Sequence, residues 1–208
     1  MPAFQKQATE YDDWFDRHPA LFQSELAAIR SVLPSFQKGV EIGVGTGRFA
    51  AALSIRHGLE PLNDYAVIAR SRGIEVQNGV AEKMPYPEGY FDLALMVTAD
   101  CFLDDVPAAF AETFRVLSPG GSFVVAFLDK NGVIAQKYRE SGSAWYRNAR
   151  FHSPEEITTW MQAAGFRDFI FAQTLFDGNE REPQKPEPGV GSGSFVVAVA
   201  GKPDSCIG

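Results

Sequence analysis

The chain has 208 residues, 45% apolar and 22% charged, the size and composition of one globular unit with a full core. Its 19 basic and 26 acidic residues leave a net charge of −7, which repels phosphate backbones and anionic membranes and argues against a nucleic-acid partner. No stretch is long and apolar enough to span a bilayer and no secretory leader pattern opens the chain. With only Cys101 and Cys206, no disulfide framework or metal cluster can form, so a reducing, cytoplasmic setting is expected.

In chain order, apolar residues at helical spacing (Phe15, Leu21, Phe22, Leu26, Ile29, Leu33) predict a helical segment over 11–33, interrupted near Pro19. A strand follows over 38–42, then a glycine-rich turn and a short alanine-rich helix over 48–54. A second strand ends at Leu59-Glu60, with Asn63 or Asp64 expected to cap a helix running to Arg72. Residues 74–77 read as a third strand, and the nearly all-apolar 91–97 as a strand covered on both faces. Asp105 is expected to cap a helix through Leu117, and Ser118-Pro119-Gly120-Gly121 to turn into a buried strand over 122–128. Ser153-Pro154-Glu155-Glu156 has the order of a helix start, and Gly165 of its stop. Two strands, 169–175 and 195–200, flank a polar loop over 177–194. Alternating strands and helices predict a doubly wound α/β sheet, mostly parallel with an antiparallel last strand and helices on both faces. Ligands then belong at the strand carboxyl ends.

The turn Gly43-Val44-Gly45-Thr46-Gly47 stands at such an end, and a glycine loop there is expected to aim free N–H groups at a ligand. Its Gly-x-Gly-x-Gly spacing differs from the dinucleotide fingerprint and points to the methionyl end and ribose of S-adenosylmethionine (SAM). Glu60, seventeen residues beyond Gly43 and followed by Pro61, is placed to accept a ribose diol, although a surface glutamate would look the same. Glu41 lies inside an apolar strand, where it either forms a salt bridge beneath the sheet or orients the glycine loop and the ligand's ammonium.

With Gly79-Val80-Ala81-Glu82-Lys83-Met84-Pro85-Tyr86, Phe91-Asp92-Leu93-Ala94-Leu95 and Phe114-Arg115-Val116-Leu117-Ser118-Pro119-Gly120-Gly121 following in order, the chain resembles the class I SAM-dependent methyltransferases, in particular the small type 11 group, over nearly its whole length. The resemblance implies one Rossmann-like domain over residues 1–208 with a seven-stranded sheet, SAM as cofactor and S-adenosylhomocysteine as product. It implies that Gly43, Val44 and Gly45 line the methionyl part, that Glu60 holds the ribose, and that Val80, Ala81 and Glu82 flank adenine. Thr98 would face the methyl group, and Tyr11 would reach the methionine carboxylate from a lid over 11–33. Family members often carry an aspartate where Val80 stands, so the adenine amine must find Glu82, backbone or water.

The acceptor is expected to be a small molecule meeting the donor methyl near residues 98–105, with Asp100 and Cys101 as candidate contacts. A cover over 130–152, carrying Tyr138, Trp145, Tyr146, Arg147 and Arg150, suits an anionic or planar acceptor. No general base stands out. His18, His57 and His152 read as structural or surface residues and share no metal-ligand spacing. A SAM-binding protein without turnover and a nicotinamide-dependent oxidoreductase are the competing readings. The sequence does not specify an oligomeric state.

Overall fold

The structure, a computed structural model, describes residues 2–141, 146, 148–177 and 181–204. Trp145, Arg147 and Cys206 lie outside the described residues.

The elements are α1 (Pro2–Arg17), α2 (Pro19–Val32), β1 (Gly39–Ile42), α3 (Arg48–Ala52), β2 (His57–Leu59), α4 (Asn63–Ser71), β3 (Glu75–Gln77), β4 (Phe91–Val97), α5 (Val106–Val116), β5 (Leu117–Leu128), α6 (Val133–Ser141), α7 (Pro154–Ala164), β6 (Arg167–Thr174), β7 (Glu187–Pro188) and β8 (Phe195–Gly201). The sheet order is β3-β2-β1-β4-β5-β8-β6-β7. Strands β1 to β5 pair in parallel, and β8 runs antiparallel to both β5 and β6.

The expected seven strands are eight. The extra one, Glu187–Pro188, pairs antiparallel with Ala172 and Gln173 at the sheet edge, inside the segment read as an unpaired polar loop. Proline is tolerated at an edge because no further neighbour needs its missing N–H.

Two layers of core explain why the central strands are apolar throughout. Along β5, Val124, Ala126 and Leu128 face the side covered by α1 to α4, while Phe123, Val125 and Phe127 face α5 and α7. Strand β8 alternates in the same way, with Val197 and Val199 on the first side and Val196 and Ala198 on the second.

Local chemistry sets the boundaries. Ser153 and Glu156 form a reciprocal capping box at α7, and Gly165 closes that helix at φ +113°. Asp105 accepts from the Ala108 N–H and caps α5. Neither Asn63 nor Asp64 caps α4. Leu62 stands at the cap, and the Glu60 carboxylate accepts its N–H instead, 3.0 Å away. The 118–121 turn is absorbed into β5 as a bulge, since Phe91 pairs with Leu117 but Leu93 with Ser122.

Strand β1 continues to β2 on one side and borders β4 on the other, so the chain reverses its winding at the β1/β4 boundary. A crevice opens there.

Candidate active site

A cavity of about 430 Å³, within the usual range for small-molecule sites, opens over the carboxyl ends of β1, β2 and β4. Its floor at one end is the glycine turn. Gly43 has φ +71°, and a Cβ there would come within 2.7 Å of the Ala99 Cβ, so no larger residue fits without a shift. Gly45 has φ +53° and faces the Tyr11 ring, 3.6 Å from where its Cβ would stand. Val44 turns away and packs over Gly58.

Four of the N–H groups of this turn are spent within the protein. Gly43 and Val44 both donate to the Leu59 carbonyl, Gly47 to the Val44 carbonyl, and Gly45 to Glu60 Oε2 at 2.9 Å. The expected outward row of donors is therefore absent at these four positions. A phosphate would find no cradle here, whereas a ligand needing close backbone approach and a negative environment would. The cavity wall agrees. Among the described residues that line it are Glu25, Glu60, Glu82 and Asp104, and no lysine, arginine or histidine.

Glu60, at the end of β2, is buried, and burial raises its carboxyl above the ordinary range, partly offset by the N–H groups of Leu62 and Gly45. It faces the cavity beside Pro61. Glu41 does not line the cavity. It lies under the turn, where burial raises its carboxyl strongly against the pull of the Ala50 N–H, and its Oε2 has no partner among the described residues. Burial with an unpartnered oxygen disfavours its charged form.

Val80 and Ala81 line the opposite wall, with Val80 half exposed. Glu82 also borders the cavity, but its Oε1 accepts the N–H groups of Asp104 and Asp105 and so pins the 103–105 loop.

Helix α1 lies over this end and is held by charge. Asp12 pairs with Arg48 at 2.9 Å and with Arg72 at 2.7 Å, and Asp16 with Arg48 at 2.7 Å. Burial works to raise the Asp12 carboxyl, but hydrogen bonds from Arg48 and Arg72 outweigh it and hold it at about 2. Tyr11, carried inward by this clamp, is pushed far above the ordinary tyrosine range by burial and by the nearby Glu25 and Glu41. Trp14 and Phe15 also reach the cavity wall, although Phe15 belongs to the core as well.

Thr98, just after β4, has φ +47°, a left-handed conformation that a β-branched residue avoids, and it lines the cavity. The turn after it is anchored from behind. Asp100, only 2% exposed, pairs with His152 Nδ1 at 2.9 Å, and the Arg150 N–H donates to the Cys101 carbonyl. Burial raises the Asp100 carboxyl while His152 pulls it back.

Asp100 and Cys101, expected to touch an acceptor, thus face away from the cavity among the described lining, and Ala99 and Phe102 take their place. The Arg150 side chain is exposed and likewise outside the lining. Tyr146 does line it, stacked on Tyr138 at 4.5 Å. His18 stacks on Trp14, and His57 sits against Phe91.

Glu25 is a charged lining residue that the sequence reading did not propose. On the buried face of α2, it is 8% exposed and raised to about 8 by burial. The signal was present, since Glu25 stands four residues from both Leu21 and Ile29 on the apolar stripe.

Comparison with known proteins gives this geometry a setting. Residues 40–125 match the family model for a methyltransferase domain. A SAM-dependent methyltransferase of Thermotoga maritima, described as a possible histamine N-methyltransferase, superposes with a TM-score of 0.91 at 42% identity, covering 96% of this chain and 97% of its own. An uncharacterized protein of Methanocaldococcus jannaschii is 33% identical over 205 residues, 97% of this chain and its own full length. A malonyl-[acyl-carrier protein] O-methyltransferase of Geobacter sulfurreducens is 28% identical over 207 residues, covering 86% of this chain and 73% of its own.

Proposed function

The chain belongs to the class I SAM-dependent methyltransferases, and from that membership we propose that it transfers a methyl group to a small-molecule acceptor in the cavity over β1 and β4. The observation that carries this reading is the turn itself, with the N–H groups of Gly43, Val44, Gly45 and Gly47 satisfied internally and only carboxylates as charged groups in the described cavity lining. Such a wall suits a cationic cofactor and disfavours a dinucleotide phosphate.

Gly43 and Gly45 would lie against the methionyl part, and Glu60 would accept the ribose diol with the lone pairs its backbone donors leave over. Val80 and Ala81 would flank adenine, with Glu82 acting through the loop it pins. Tyr11 would close over the methionyl end. Thr98 would stand beside the transferred methyl. Glu41 would support the turn from below.

When bound, SAM supplies a methyl group already activated by its positively charged sulfur. The protein's own part is to align the acceptor and exclude water, and alignment alone can be worth about 7–11 kcal/mol. The cover over 130–152 fits that task, because the Lys130 N–H donates to the His152 carbonyl at 3.0 Å and ties its two ends together. Ile134 and Tyr138 of α6 reach the cavity from it.

Calorimetric titration with SAM, S-adenosylhomocysteine and NAD tests the reading. Micromolar binding of the two sulfur ligands and none of NAD is expected. Absence of both sulfur ligands would overturn it.

A further inference from the structure

The cavity continues beyond the glycine turn. Its far end is lined by Leu21 and Glu25 of α2, Leu128 at the end of β5, Ile134 and Tyr138 of α6, and Leu175 after β6. Helix α2 packs against β6 and β8, the half of the sheet on the other side of β4 and β5 from the glycine turn. Glu25 therefore borders the cavity from the α2 side, near Tyr11.

Among the described residues nothing donates a hydrogen bond to the Glu25 carboxylate, although more than nine-tenths of the residue is buried. An acid left without a partner in an apolar wall is expensive, and burial alone accounts for its raised carboxyl. Around it stands an aromatic wall. Tyr146 stacks between Tyr138 at 4.5 Å and Phe102 at 5.9 Å, and Tyr11 and Tyr146 both sense the Glu25 charge. The described lining of this end holds no cation.

We infer that Glu25 and this aromatic wall form the acceptor subsite, and that the acceptor is an amine that enters as its ammonium form. The inference rests on the methyltransferase reading and names its substrate class.

The missing partner of Glu25 is then the ammonium N–H, and the ring faces attract the same positive charge. An anionic acceptor would meet the Glu25 carboxyl and no described cation in the lining, contrary to the expectation drawn from Arg147 and Arg150. The atoms balance in one sequence. The ammonium gives a proton to the Glu25 carboxylate, and the electron pair of that N–H bond becomes the nitrogen lone pair. That pair forms the new N–CH3 bond as the C–S bond pair leaves with sulfur. The products are the N-methylammonium, S-adenosylhomocysteine and a protonated Glu25, whose proton passes to solvent after release. A base whose carboxyl is raised by burial is suited to taking a proton from an amine.

The test uses the full chain with saturating S-adenosylhomocysteine and three probes of one shape: 2-phenylethylamine, 2-phenylethanol and phenylacetate. Calorimetry reads their binding, and radiolabelled SAM reads turnover. We expect the amine to bind at least tenfold more tightly than the alcohol, no binding of the carboxylate, and methylation of the amine alone. Glu25→Gln should bind S-adenosylhomocysteine as wild type does but lose at least tenfold in amine affinity while leaving the alcohol unchanged. Glu25→Asp should recover part of that loss. Equal binding of amine and alcohol by the wild type, or an undiminished amine affinity in Glu25→Gln, would overturn the inference and leave the methyltransferase reading standing. Failure of the wild type to bind S-adenosylhomocysteine at all would overturn both.

Discussion

The two ends of the cavity are built on different principles. The glycine end is backbone. It consists of strand ends and a turn, four of whose N–H groups are consumed by Leu59, Val44 and Glu60, so its shape is stiff and set by local covalent geometry. The far end is side chain. Glu25, Tyr138 and Tyr146 come from α2 and the 130–152 segment, and packing alone brings them together. A cofactor common to a whole family suits the first kind of site. An acceptor that differs from member to member suits the second, because side chains can change without disturbing the sheet.

The sharpest break would come at the glycine end. Gly45→Val places a β-branched residue at φ +53° and pushes its side chain toward Tyr11, into the space a ligand needs. Cofactor binding should vanish in calorimetry while far-UV circular dichroism keeps the wild-type profile.

Behind the turn that joins the two ends, His152→Ala would leave Asp100 buried without its partner. A loss of about 3–5 kcal/mol in denaturant unfolding is expected, the usual result of stripping one member from a buried pair. A loss below about 1 kcal/mol would mean that the pair does not anchor the turn.

A smaller effect belongs to Glu60→Ala. Cofactor affinity should fall by about 1–3 kcal/mol, the cost of leaving the diol and the Gly45 N–H short of an acceptor. Glu60→Gln should recover part of it.

Smallest is the clamp on α1. Asp12 is held at about 2 against an ordinary value of 3.8, so its folded-state value is depressed. Its contribution is complete above about pH 4 and is lost as pH falls toward 2. Asp12→Asn should cost about 1 kcal/mol at neutral pH. The difference in melting temperature between variant and wild type should close across that acid window and stay constant above it.

Much of the glycine end could be read before any coordinates. The spacing of Gly43, Gly45 and Gly47 and the position of Glu60 after the second strand place both at one crevice, because turn geometry and strand order are short-range properties. The same reading missed where the turn's donors go. Leu59 lies sixteen residues from Gly43 and fifteen from Val44, whose N–H groups its carbonyl accepts, and hydrogen bonding between strand ends depends on sheet register. It also put Asp100 and Cys101 in the acceptor site. Adjacency to β4 gives no sign of which way a side chain points once a 3-10 turn intervenes, and a histidine 52 residues away claims the Asp100 carboxylate.

By itself the sequence determined the alternation of strands and helices, the two-faced apolar strands, the caps at Asp105 and Ser153, and the crevice marked by the glycine turn. These follow from periodicity and backbone conformation, which act over a few residues. Only the tertiary structure decided that Glu187–Pro188 joins the sheet edge, that Glu25 shares a cavity with Tyr146, and that Glu41 is sealed beneath the loop. Each depends on contacts between distant segments, and burial by a distant segment is what turns an ordinary acid into a site.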